Sequence, residues 1–160
     1  MIKKGYPIRI AIAGLGFGES VHIPASLFNE NIELVGLWHT KSERVKEACS
    51  KHNLYAYKNW EELINDPNLE GIIIATPPAP RFELALKAIK AGKHLLLEKP
   101  IGLNADEIIE LQRNALKRNL SIAVDYEYRA VPLFIQAKRI INQKKLDEPY
   151  FVKLDWLMSS

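Results

Sequence analysis

Residues 8–19 read Ile8-Arg9-Ile10-Ala11-Ile12-Ala13, then Gly14-Leu15-Gly16-Phe17-Gly18-Glu19. A short β-branched run that opens directly into a glycine turn and then a helix is the order in which a glycine motif carries meaning. Gly14 permits a tight turn. Gly16 lets the backbone approach a pyrophosphate, whose charge then meets the N–H groups at the helix start. The loop residues Gly14, Gly16, Phe17 and Gly18 are therefore candidate cofactor-binding positions. In the G-x-G-x-x-G pattern the third glycine falls at 19, where this chain has Glu, and Gly18 stands one residue early. The expectation is that the Glu19 side chain points away from the phosphates. Read strictly the loop is G-x-G-x-G, a form also found in methyltransferases that bind S-adenosylmethionine, so the loop alone indicates a nucleotide site without naming the nucleotide.

Outward from this loop, short apolar runs alternate with helix-length segments. Ile8–Ala13, Ile32–Trp38, Gly71–Ala75, His94–Glu98 and Leu120–Val124 read as strands, several apolar on both faces, as expected when helices cover both sides of a sheet. Ser42–His52, Trp60–Asn65, Arg81–Ala91 and Ala105–Arg118 read as helices. Leu84, Ala85, Ala88 and Ile89 form one stripe with Gly92 as the stop, while Asn104 and Glu107 make a capping box. In that last helix Ile108, Leu111, Ala115 and Leu116 are the expected buried face. The alternation predicts an α/β fold, a Rossmann-type doubly wound parallel sheet. The tail breaks the rhythm: Pro132 to about Gln143 reads as a helix, and Tyr150–Leu157 alternates like a half-buried strand. Residues 1–124 are thus expected to form the dinucleotide-binding domain. Residues 125–160 read as a connecting helix and the first strand of an incomplete, truncated second α/β domain. Its apolar residues Phe151, Val152, Leu154 and Trp156 are expected to be mobile or sticky without a partner.

The end of the second strand decides which dinucleotide. An acid that grips ribose hydroxyls is expected after Trp38, but the residues are His39-Thr40-Lys41-Ser42 with Arg44 beyond. A hydroxyl, two cations and an imidazole suit a 2′-phosphate better than two bare hydroxyls. His39, Thr40, Lys41 and Arg44 are therefore expected to favour NADP over NAD, and the missing acid weakens the methyltransferase reading.

Two further strand ends face the same edge. Gly71–Ala75 runs into Thr76-Pro77-Pro78, and His94–Glu98 into Lys99-Pro100. Open α/β sheets bind ligands at the carboxyl ends of their strands. A lysine ammonium there can orient a substrate oxygen and stabilise charge developing on it during hydride transfer.

Gly14-Leu15-Gly16 with His22 and Pro24, then Ala75-Thr76-Pro77, then Ala91-Gly92-Lys93-His94 leading into Glu98-Lys99-Pro100, together resemble the Gfo/Idh/MocA oxidoreductases over essentially the whole chain. The resemblance implies an NAD(P)-binding Rossmann domain followed by a larger α/β domain that carries most of the substrate site and mediates homo-oligomerisation. It implies hydride transfer between the nicotinamide and a hydroxyl-bearing carbon of a sugar, cyclitol or related polyol. It places Lys99 beside nicotinamide and substrate as the catalytic residue, with Ala75, Thr76, Pro77 and Glu98 along the cofactor cleft and Pro100 near a hinge. Four departures stand out: Glu19 in the loop, His39 where NAD-using relatives have Asp, Arg81 at a position often His, and the variant segment Asp125-Tyr126-Glu127-Tyr128-Arg129.

Composition narrows the alternatives. The chain has 160 residues, 48% hydrophobic and 26% charged, with Lys+Arg 22 against Asp+Glu 19, which fits an ordinary globular protein. A net charge of +3 gives no nucleic-acid or membrane signature, and no apolar run approaches a membrane span. Lys87, Lys90 and Lys93 are expected on solvated faces. The lone Cys49 excludes an internal disulfide and reads as a small buried side chain, so a cytoplasmic location is expected. No metal is expected, since His52 and His94 lack partners at ligand spacing and His22 reads as a packing or capping residue. Trp38, Trp60 and Trp156 are expected in the core or at a domain interface. A non-catalytic dinucleotide sensor remains an alternative to the oxidoreductase.

Overall fold

The computed structural model describes residues 7–143 and, beyond them, residues 151, 153, 155 and 157. Six strands, β1 (Ile8–Ala13), β2 (Ile32–Trp38), β3 (Tyr55–Ala56), β4 (Gly71–Ile74), β5 (His94–Glu98) and β6 (Ile122–Asp125), form one sheet in the order β3-β2-β1-β4-β5-β6. Every pairing is parallel. This is the doubly wound arrangement in which strand order reverses between β1 and β4.

Strand side chains alternate between two apolar layers. Ile10 and Ile12 of β1 join Leu15, Ile23, Leu34, Leu37, Val45 and Ala48 on one face. Ala11 and Ala13 face the other way, with Trp38, Trp60, Ile72, Ile74, Ala85, Ile89 and Leu111. The helices that cover these faces are α1 (Ile23–Phe28), α2 (Ser42–His52), α3 (Trp60–Asn65), α4 (Pro78–Lys90) and α5 (Ala105–Lys117). The Trp38 and Trp60 rings pack at 5.1 Å within the second layer.

Several local expectations are met. Asn104 Oδ1 accepts the Glu107 N–H at 3.0 Å, and the Glu107 carboxylate accepts the Leu103 N–H at 2.8 Å. Gly92 follows α4 with φ +83°, the left-handed stop a glycine supplies without strain.

Others are corrected. Helix α4 begins at Pro78, not Arg81, because a proline in the first turn forgoes no helical hydrogen bond. The edge strand β3 has only two residues and leaves no periodic signal. In α5 only Leu111 and Ala115 are buried, whereas Ile108 is 37% and Leu116 72% exposed. Lys93 is only 6% exposed. Its ammonium donates to the Asp66 and Leu69 carbonyls, both at 2.6 Å, tying the loop before β4 to the end of α4, and burial lowers its pKa. Cys49 is buried as expected, and burial raises its pKa.

The chain divides after Asp125 into two compact units. The second contains a 3-10 turn, Glu127–Ala130, and α6 (Pro132–Asn142), with Tyr128 and Phe134 in an edge-on ring contact. The expected strand Tyr150–Leu157 lies outside the described residues, apart from Phe151, Lys153, Asp155 and Leu157, which are exposed. The expected sticky residues Val152, Leu154 and Trp156 also lie outside them. Among the described residues, no helix is long and apolar enough to cross a membrane.

Candidate functional site

The strand register brings four strand ends together. Gly14 N–H donates to the Trp38 carbonyl at 2.9 Å, and Ala75 N–H to the Ala13 carbonyl at 2.7 Å. The loops after β1, β2, β4 and β5 therefore open on one edge, around a cleft of about 740 Å3. Of the expected site residues, Gly14, Gly16, Phe17, His39, Thr40, Arg44, Ala75, Thr76, Pro77, Glu98 and Lys99 line it. Gly18 and Lys41 do not. Leu15, Trp38, Pro80, Arg81 and Leu84 line it without having been expected to.

The glycines divide the work. Gly14 has φ +101°, and a Cβ there would sit 2.5 Å from the Ala75 carbonyl oxygen, so this position takes only glycine without strain. A Cβ on Gly16 would meet nothing within 4 Å, leaving its backbone bare to the cleft. A Cβ on Gly18 would press on Ile12 Cγ2 at 3.1 Å. Gly18 thus performs the close helix–sheet packing that the third glycine of the motif performs. A π-helical turn, Gly18–His22, runs into α1 and carries this one-residue shift. Glu19 points to Arg44, with 3.7 Å between Oε2 and Nη2.

Beyond β2, the Lys41 N–H donates to His39 Nδ1 at 2.9 Å, so the proton of the neutral ring is on Nε2. Burial, then the Arg44 and Lys41 cations, hold the His39 pKa below 6.5. Lys41 itself is exposed at the rim.

At the β4 and β5 ends, buried polar groups dominate. Glu98 and Asp125 are register partners at the ends of β5 and β6. His22 reaches up from the π-helical turn, its Nε2 lying 2.9 Å from Glu98 Oε1 and 3.8 Å from Asp125 Oδ2. The second Glu98 oxygen accepts the Lys99 N–H at 3.1 Å. The His22, Glu98 and Asp125 ligand atoms all lie within 4.8 Å of one another. The His22–Glu98 hydrogen bond accounts for the pair without an ion. Arg81 is 3% exposed, and its guanidinium donates to the Thr76, Glu98 and Pro100 carbonyls. Burial lowers its pKa, and the Glu98 charge opposes that shift. The Thr76 hydroxyl is buried with no partner.

Residues 8–126 match a family model described as an oxidoreductase family with an NAD-binding Rossmann fold. The chain belongs to the Gfo/Idh/MocA oxidoreductase family. It is 36% identical to an uncharacterized oxidoreductase of Synechocystis sp. over 160 residues, covering 99% of this chain and 43% of that protein. It is 30% identical over 151 residues to a Bacillus subtilis scyllo-inositol 2-dehydrogenase (NADP(+)), covering 91% of this chain and 40% of that enzyme. Among solved structures, an NAD-binding protein from Listeria innocua superposes with a TM-score of 0.80 at 28% identity, over 88% of this chain and 42% of that one. The chain thus spans about two fifths of these relatives and holds the family's NAD-binding oxidoreductase domain, and the family match decides against a methyltransferase. The cleft fits a dinucleotide in size, in the bare backbone at Gly16, and in the unpaired Thr76 hydroxyl along its wall.

Proposed function

We propose that this Gfo/Idh/MocA domain binds NADP in preference to NAD and serves an enzyme oxidising or reducing a hydroxyl-bearing carbon of a sugar, cyclitol or related polyol. The observation that carries this reading is the single cleft on which the glycine loop, Arg44 and Lys99 converge from three different strand ends. The glycine loop would receive the pyrophosphate on bare N–H groups. Thr40, Arg44 and the Nε2–H of neutral His39 would hold a 2′-phosphate, a grouping of hydrogen-bond donors beside which Glu19 is drawn to Arg44. The Thr76 hydroxyl, together with Ala75 and Pro77, would line the nicotinamide half. The bound cofactor supplies or accepts the hydride. Lys99 would orient the substrate oxygen, donate a hydrogen bond to it and stabilise its developing negative charge. The inositol dehydrogenase relative supports a cyclitol-type substrate.

Residues 1–124 would form the cofactor domain and residues 125–160 the connection to a substrate and oligomerisation domain, the whole protein acting as a homo-oligomer. The test is Lys99→Met in the full-length protein, assayed with NADP(+) against a panel of cyclitols and aldoses. The expected loss in kcat is about 10²- to 10⁴-fold, with cofactor affinity held within a few-fold. A variant that turns over like the wild type removes Lys99 from the chemistry, whereas a wild-type protein that binds cofactor and turns over none of the panel favours a non-catalytic sensor.

A further inference from the structure

Arg81 is a buried cation without a dedicated carboxylate hydrogen-bond partner among the described residues. Its first turn of α4 carries it under the β4 and β5 ends, where its two terminal nitrogens are solvated by main-chain oxygens alone. Removing a guanidinium from water is costly, and a hydrophobic side chain of similar volume would fill the same space more cheaply. What such a side chain cannot do is satisfy three converging carbonyls, each expensive to leave unpaired once buried.

The identity of those carbonyls is the informative point. Two belong to the residues on either side of Lys99, Glu98 and Pro100, and the third to Thr76 on the facing loop. The Lys99 N–H is itself held by the Glu98 carboxylate, which His22 fastens from the other side. The backbone around Lys99 is therefore anchored at the 98 carbonyl, the 99 amide and the 100 carbonyl. It is also tied to the loop carrying the unpaired Thr76 hydroxyl. A planar fork with several donors suits three acceptors in fixed directions, which a lysine's compact ammonium does not match.

We propose that Arg81 is a positioning residue: its guanidinium locks the Glu98–Pro100 segment to the Thr76 loop and so fixes where the Lys99 side chain begins. The proposal rests on the reading of the cleft as the cofactor and reaction site, because only there does the placement of Lys99 matter to turnover. Preorganisation of this kind acts on kcat more than on cofactor binding, since a small displacement of an acid–base group costs rate steeply.

The test compares wild-type full-length protein, Arg81→Ala and Arg81→Lys by amide hydrogen exchange with mass spectrometry and by steady-state kinetics. In Arg81→Ala, exchange across residues 75–77 and 98–103 is expected to accelerate about tenfold or more, with β1 and β2 amides unchanged. The kcat is expected to fall about 10- to 100-fold with KM for NADP(+) within a few-fold. Guanidinium, at concentrations too low to unfold the protein, should restore part of both. Arg81→Lys, which keeps the charge, should show the same pattern more weakly and guards against loss of folding in the alanine variant. Exchange that is unchanged in the two segments, or raised uniformly across the sheet, overturns the proposal. If wild-type protein binds neither NADPH nor NADH, the functional reading fails instead, and the exchange pattern still decides the role of Arg81.

Discussion

The two walls of the cleft are built on different principles. The β1–β2 wall is made of backbone and exposed side chains: Gly14 and Gly16 shape the loop, and Thr40 and Arg44 stand at the rim. The β4–β5 wall is made of buried polar groups holding one another in place, with Arg81, His22, Glu98 and Thr76 all nearly inaccessible. The first wall depends on conformations that only certain residues tolerate. The second depends on a network in which each member needs the others. The glycine wall should therefore fail by strain or by lost ligand contacts, and the buried wall by lost positioning.

The largest effect on the first wall is expected at Gly14. Gly14→Ala forces a side chain onto a φ of +101° and against the Ala75 carbonyl, a cost of about 1–3 kcal/mol from backbone conformation alone. Thermal unfolding checks this, and an unchanged Tm would show that the loop can relax. A smaller, selective effect is expected at Arg44. Arg44→Ala should weaken NADPH binding about tenfold while leaving NADH within about twofold, read by nicotinamide fluorescence. Equal losses for both cofactors would separate Arg44 from the 2′-phosphate.

The smallest effect concerns His39. Its pKa is held below 6.5 in the folded state, so the unfolded chain binds the extra proton first as pH falls. Stability should therefore drop below about pH 6.5 as the unfolded state takes up that proton. His39→Asn removes this contribution, so the Tm difference between pH 7 and pH 5 should be smaller than in the wild type. A variant with an identical pH profile would contradict it.

The same contrast explains what the sequence revealed. The glycine wall was legible because its physics is local: a strand, a turn and a helix start lie within residues 8–23, and the missing acid after Trp38 lies at a fixed distance along the chain. The capping box at Asn104 and the stop at Gly92 were readable for the same reason. Lys93 and Arg81 were not, because a charged side chain reads as solvated until the fold shows which carbonyls surround it. In sequence His22 reads only as a packing or capping residue, since Glu98 and Asp125 are 76 and 103 residues away and meet it only through the β5–β6 register. The π-helical turn left no trace in the pattern, yet it is what allows Gly18 to replace a glycine at 19. Ile108 and Leu116 show the limit of apolar periodicity, which marks a stripe wider than the surface α5 buries.

The cleft, with His39-Thr40-Lys41-Ser42 in place of an acid directly after β2, is proposed to receive NADP. Titration of the protein with NADPH and with NADH under identical buffer and salt, followed by nicotinamide fluorescence, tests it most directly. Saturable binding of both is expected, with NADPH at least about tenfold tighter, the worth of one charge-assisted contact. NADH binding as tightly as NADPH, or no binding of either, would contradict it.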